Sequence, residues 1–142
     1  MDTAEMTELT RAQCTQLLAT TAIGRLATTS GSLPVIFPVR FAMFHGDPVF
    51  RARRGSRLHR ATHGQVLCLE IDSVGLAGHS GWSVVVVGRG ETVVEPERVE
   101  ACEQLPLRPW SSVIGDDVFL RVEATMVSGR RLDPLPVHPS GG

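Results

Sequence analysis

The stretch "PVIFPVRFAMF", Pro34 to Phe44, alternates from one residue to the next: Val35, Phe37, Val39, Phe41 and Met43 share one face, and Ile36, Arg40 and Phe44 share the other. Period two over that length predicts a β-strand, because a helix would repeat its apolar stripe every three or four residues. Pro38 stands in the middle, and a proline has no N–H to give to a ladder. Its surroundings are therefore expected to be a sheet edge, a bulge or a place where a ligand approaches the backbone.

The same period recurs between turn signals along the chain. "IGRLATT" reads as a first strand ending at the Ser30–Ser32 turn, and "HGD" at His45–Asp47 leads from the second strand into "PVFRAR". "QVLCLEID" and "WSVVVVGRGETVV" follow, joined by the glycine-rich "VGLAGHSG". "VFLRVEATMVSGRRL" closes the series, with Val118, Leu120, Val122, Ala124 and Met126 predicted inward. Val84 to Val87 are apolar on both faces, which requires cover on both sides: a closed barrel with a helix, or a second subunit.

Three short helices interrupt the strands. One starts at Thr10, with Gln13 as its capping-box partner and Leu9 placed to staple against Cys14, and sets Cys14, Leu17 and Leu18 on one face. A second lies between Ser56 and Gly64, with Leu58 and Ala61 inward, and a third is entered through Pro96. This order predicts a mainly β fold, six antiparallel strands in a small barrel with short flanking helices, rather than a doubly wound sheet. The expected boundaries are an extension over 1–9, the barrel over 10–132 and a loose proline- and glycine-rich tail over 133–142.

Composition bounds the function. A chain of 142 residues with 42% hydrophobic content supports one domain with a core. No stretch approaches the roughly 18 apolar residues of a membrane span, and the N-terminus lacks a signal-peptide pattern, so a cytoplasmic protein without membrane partners is expected. Cys14, Cys68 and Cys102 are odd in number, far apart and set among apolar neighbours, which predicts buried free thiols. The absence of lysine, tyrosine and asparagine excludes a lysine Schiff base, a tyrosine acid and N-glycosylation. There is no G-x-S-x-G, no Walker loop and no G-x-G-x-x-G after a strand, which excludes the usual hydrolase, kinase and Rossmann sites.

Five arginines crowd the ten positions from Arg51 to Arg60, in a chain of formal net charge -1. Arg51 and Arg53 share a strand face, while Gly55 and Ser56 turn into a helix whose first residue is Arg57. A helix start offers unpaired N–H groups and partial positive charge, so strand arginines converging there would make a phosphate site. The other reading is a solvated basic edge that discourages aggregation. One basic segment without interleaved aromatics lacks the extended groove of a nucleic-acid binder. His59 and His63, four apart, could face a metal or haem, but no carboxylate or thiolate completes the set, so two exposed histidines and no metal are expected. His45 and His79 are expected at the surface. Trp82 begins the apolar strand as core or ligand wall, and Trp110 lies in a loop, facing a ligand or a partner subunit.

The segments "GRLATTSGSLPVIFPVRF", "VFRARRGSRL", "GWSVVVVGRGETVVEP", "LRPW" and "FLRVEATMVSGRRL", in that order, resemble the pyridoxamine 5′-phosphate oxidase-like superfamily of flavin-binding split β-barrels, over Thr10 to Leu132. The resemblance implies a homodimer with a flavin nucleotide, usually FMN, in each of two grooves at the subunit interface. It implies that Arg51, Ser56 and Arg57 meet the cofactor phosphate, with Arg60 directed to solvent. It also implies that Pro38, Val39, Arg40 and Phe41 run along the isoalloxazine, that Trp82 and Ser83 lie near the ring, and that Trp110 reaches the partner's cofactor. The chain departs from the pattern at Ala52, where threonine is common, and at Arg53 and Arg54, where a small residue or proline is frequent. It ends in "DPLPVHPSGG" instead of the longer C-terminal extension of true pyridoxamine phosphate oxidases, so vitamin B6 oxidation is not expected. The implied activity is flavin-dependent oxidoreduction of a small molecule, with the cofactor carrying the chemistry. The alternatives are a deazaflavin coenzyme whose longer anionic tail would use Arg53 and Arg54, and a non-catalytic flavin or haem carrier.

Overall fold

Two tight hairpins set the register of the first half of the fold. Gly31 (φ 58°) and Ser32 (φ 67°) join β2 (Ile23–Ser30) to β3 (Leu33–Phe44), and His45 (φ 51°) and Gly46 (φ 85°) join β3 to β4 (Asp47–Arg53). Positive φ at both central residues is the type I′ geometry, whose twist matches that of the flanking strands. The computed structural model describes residues 6–75, 80–110, 112–113 and 115–133. The predicted loose tail and His79 lie outside the described residues, apart from Asp133.

The strands close into a ring. β2 pairs with β3, β3 with β4, β4 with β7 (Asp117–Val122), β7 with β6 (Gly81–Thr92), β6 with β5 (Val66–Val74), and β5 returns to β2. The result is a closed, six-stranded antiparallel barrel, as the alternation predicts. Inside it pack Leu26, Val39, Phe41, Phe50, Leu69, Ile71, Val84, Val86, Leu120 and Val122, each at most 3% exposed.

Two further strands extend β6 beyond the ring. β8 (Met126–Leu132) pairs with β6, and the short β1 (Met6–Glu8), inside the expected N-terminal extension, pairs with β8. The stretch expected as one last strand is thus two, and the reason is a one-residue bulge. β6 pairs with β7 as Gly90↔Val122 but with β8 as Val87↔Met126, so one extra residue is taken up across Glu123–Thr125. A one-residue slip exchanges the faces of everything beyond it. Val122 is buried, whereas Met126, predicted inward, is 64% exposed, and Gly129 takes the inner side. The bulge lies on Gly88, where a Cβ would stand 1.6 Å from the Glu123 carbonyl oxygen.

The helices cover the barrel where the sequence places them. α1 (Arg11–Thr20) carries the Thr10–Gln13 capping box and buries Cys14 and Leu18. α2 (Arg57–Thr62) is capped by Ser56 Oγ, which accepts the His59 N–H, and the Thr28 hydroxyl donates to the Ala61 carbonyl at 2.8 Å. α3 (Pro96–Cys102) lies outside the barrel over a second apolar cluster of Val49, Cys102, Leu107 and Phe119. All three cysteines are free, Cys14 and Cys102 buried and Cys68 half-buried.

Candidate functional site

The ladder between β3 and β4 runs from Phe44↔Asp47 to Phe41↔Phe50 and stops there. One more step would set Arg40 opposite Arg51, and like charges directly opposed on a sheet are unfavourable. From Arg40 back to Leu33, β3 is paired with β2 alone. Phe41 gives its N–H to Ala22 O on the β2 side at 3.0 Å, so Val39 and Phe37 face the same way and the Pro38 nitrogen faces the unpaired side. The proline thus occupies an edge position where no N–H is needed.

A groove of about 220 Å³ opens at this fork. Pro38, Val39 and Arg40 form one wall, Arg51 the other, and the loop from Leu107 to Trp110 closes the side. Five of the ten predicted site residues meet here. A larger cavity of about 540 Å³ lies behind, sharing Arg51 and Pro109 and lined by Val93, Val99, Phe119, Arg54 and Asp117.

Arg51 is held in place. Its guanidinium lies 4.3 Å from the Phe119 ring centroid, with Nη1 3.8 Å from Asp117 Oδ2. Trp110 fastens the loop to both partners: its backbone N–H donates to Asp117 Oδ2 at 2.6 Å and its indole N–H to the Arg51 carbonyl at 2.8 Å. Among the described residues, Arg51 Nε and Asp117 Oδ1 are both buried without a hydrogen-bond partner, so this pair retains one unmet donor and one unmet acceptor there.

The expected convergence of Arg51 on the start of α2 does not occur within the chain. Arg51 turns to Asp117 and Phe119, while Arg57 reaches Ser30 Oγ at 3.4 Å, with its guanidinium 5.8 Å from the centre of the Phe37 ring. The Ser56 oxygen is occupied in capping. Arg60, expected to extend into solvent, bends back to donate to the Gly55 carbonyl, and Arg54 donates to the Gly115 carbonyl at 3.3 Å. Arg53, Arg54, Arg57 and Arg60 all keep exposed surface, leaving the turn strongly cationic.

His59 and His63 are not two free histidines. The Gly55 N–H donates to His59 Nδ1 at 3.0 Å, and His59 Nε2 lies 3.1 Å from the Thr92 hydroxyl, which is 2.9 Å from His63 Nδ1. An Nδ1 that accepts fixes the neutral Nε2–H tautomer of His59. Its pKa is lowered by burial first, then by the positive charge of His63, Arg54 and Arg60. Among the described residues, no group of three or more His, Cys, Asp or Glu could hold a metal ion.

Phe41 points into the barrel core, and only its backbone borders the fork. Trp82 packs against the core at the start of β6, while Ser83 faces outward there. β6 is separated from β3 by β2 and β5, three strand spacings or about 14 Å, so Ser83 does not reach the groove of its own chain. Sequence reasoning missed Asp117 and Phe119, and from the quoted Leu107–Trp110 segment it named only Trp110 as a site residue. Their contacts with Arg51 depend on β4–β7 pairing across a long loop, and no local pattern announces it.

A closed six-stranded antiparallel barrel with a helix-capped turn after its third strand and a groove at the β3–β4 fork is the architecture of a split-barrel protein. A family model described as pyridoxamine 5′-phosphate oxidase matches residues 10–131, and the chain belongs to that family. It is 33% identical over 133 residues to the uncharacterized protein Rv0080 of Mycobacterium tuberculosis, covering 90% of this chain and 86% of that protein. Among solved structures it is similar to an FAD binding protein from Mycobacterium smegmatis, with 30% identity, a TM-score of 0.77 and coverage of 89% and 99% of the two chains. An FAD-binding protein from Mesorhizobium loti shares the fold at 22% identity and a TM-score of 0.69, over 90% of this chain and 99% of that one.

Proposed function

We propose that this chain binds a flavin nucleotide in the groove at the β3–β4 fork and serves as a flavin-dependent oxidoreductase on a small molecule, working as a homodimer. The observation that carries the reading is the fork itself, an apolar slot of Pro38, Val39, Leu107, Pro109 and Trp110 rimmed by the cations Arg40, Arg51 and Arg108. That lining fits a planar aromatic group with an anionic tail, and Arg51 Nε–H is a buried donor still without an acceptor among the described residues. Family membership and the flavin-binding names of two relatives support it.

At about 220 Å³ the groove is small for a nucleotide, and a second copy packed along its open side would enlarge it. With two copies packed sheet to sheet about a twofold axis, the start of β6 of one, with Ser83 outward, would approach Pro38 and Arg40 of the other. Arg57, Ser56 and the exposed Arg53 and Arg54 would hold the phosphate end. Arg40 and Arg51 orient the ring, and the Trp110 loop keeps water from one side of it. The flavin supplies hydride transfer when bound. Among the described residues no carboxylate or histidine lines the groove, so the chain's own part is to bind, orient and exclude water.

FMN is the monophosphate expected from the resemblance, FAD the cofactor in the names of the two relatives, and a deazaflavin the third candidate for the arginine-rich turn. Titration of the apoprotein with FMN, FAD, deazaflavin and haem side by side, followed by anaerobic NAD(P)H reduction, tests the reading. Flavin binding with reduction supports it, flavin binding without reduction leaves a carrier, and no flavin binding ends it.

A further inference from the structure

The outward residues of five consecutive strands align in rows across the sheet β3-β2-β5-β6-β8. The pairings Ala27↔Ile36, Ala27↔Cys68, Cys68↔Val87 and Val87↔Met126 form one unbroken apolar row. Ile36 and Met126, at its two ends, are 67% and 64% exposed. The neighbouring row is Pro38, Arg25, Glu70, Val85 and Ser128. It begins at the groove and passes through a carboxylate at the centre of the face.

That carboxylate is poorly served. Arg25 Nη1 lies 2.8 Å from Asp72 Oδ2 but 3.6 Å from Glu70 Oε1, so a single guanidinium is shared by two acids and sits closer to Asp72. Glu70 Oε1 is buried and has no hydrogen-bond partner among the described residues. From β2 the charged group facing Glu70 is Arg25, and from β6 the flanking outward residues are Ser83, Val85 and Val87. On β5 itself the neighbours two residues away are Asp72 and the Cys68 thiol. Burial first, then Asp72, pushes the Glu70 pKa up to about 7 against the opposing pull of Arg25.

We propose that this outer sheet face is the surface on which two copies of the chain pair, and that pairing is coupled to proton uptake by the Glu70 carboxyl. The proposal rests on the homodimer put forward above. The occupant is a second copy because Val85 and Val87 are the outward half of the two-sided valine strand, and the Glu70 row begins at Pro38 on the groove, where the homodimer put forward above sets its partner. Covering the face removes the remaining water from Glu70, which disfavours the charged form and favours the proton. A group whose pKa rises on assembly stabilises the assembly below its free value and loses that effect as pH rises through the assembled one. The dimer therefore tightens as pH falls from 8 to 6.

Sedimentation of fluorescently labelled full-length chain, from picomolar to micromolar at pH 6, 7 and 8, tests this. The expected result is a dissociation constant at least about tenfold higher at pH 8 than at pH 6, and a Glu70→Gln dimer whose constant is flat over that range. For a dimer too tight to dissociate, the ¹³C shift of the Glu70 carboxyl reads the same coupling, with a midpoint at or above neutrality expected. A native dimer with no pH slope, a slope retained in Glu70→Gln, or an ordinary carboxylate midpoint would overturn the proton coupling while leaving the dimer intact. A chain monomeric at every pH would overturn the dimer and the coupling together.

Discussion

Trp110 and Asp117 are joined by a 2.6 Å hydrogen bond from the Trp110 backbone N–H to Asp117 Oδ2, and that bond ties the groove-closing loop to the first residue of β7. The same carboxylate is the acid beside Arg51, and both side chains are largely buried, at 9% and 15% exposure. One acid thus positions two walls of the groove.

Asp117→Ala removes that acid and leaves Arg51 with a buried, unpaired charge. We expect a loss of about 3 kcal/mol of stability in urea unfolding. Acrylamide quenching of Trp110 in a Trp82→Phe background should increase. Unchanged quenching would show that the loop is held by other contacts.

Arg57→Ala should weaken flavin affinity at least about tenfold, the effect of losing one charge-assisted hydrogen bond of ~1.5 kcal/mol or more, with little change in unfolding midpoint. Arg98→Ala, exposed on α3 and outside the groove lining, is the control and should leave affinity unchanged. Equal affinity for both variants would remove Arg57 from the phosphate end.

His59 should make the protein acid-sensitive. Its folded pKa is lowered, so the fold favours the neutral ring; the stability is full above the unfolded value of about 6.5 and declines as pH falls below it. Protonating Nδ1 would set an N–H against the Gly55 N–H that it now accepts. The urea midpoint of the native chain should fall between pH 7 and pH 5 more steeply than that of His59→Gln.

Gly88→Ala should be among the most damaging single changes outside the groove. A Cβ there meets the Glu123 backbone oxygen at 1.6 Å, and backbone cannot rotate aside as a side chain can. We expect a loss of ~3 kcal/mol, or no folded product at all, measured by circular dichroism and thermal unfolding.

Much of the barrel was legible because its signals are local. The I′ turns at Gly31–Ser32 and His45–Gly46, the Thr10 and Ser56 caps and the alternation of Val39, Phe41 and Leu120 each depend on residues within a few positions. The bulge at Glu123–Thr125 escaped because "VFLRVEATMVSGRRL" alternates without a break. Only the approach of this stretch to Gly88 shows where one residue is set aside. Pro38 was read as an edge, a bulge or a ligand approach, and the pairing on each side of β3 selected the edge.

The site divides along the same line. By itself the sequence determined the succession of the barrel strands along the chain, the helix caps, the cationic turn and the candidates Pro38 to Arg40 and Trp110, because periodicity, capping and charge are written in neighbouring residues. Tertiary structure alone decided that Arg51 belongs to Asp117 and Phe119 instead of the α2 turn, that His59 and His63 meet at Thr92, and that Glu70 lies within an apolar sheet face. Each of those contacts joins elements distant in sequence, and which side chains meet across them is set by how the strands pair in register, a property no single segment contains.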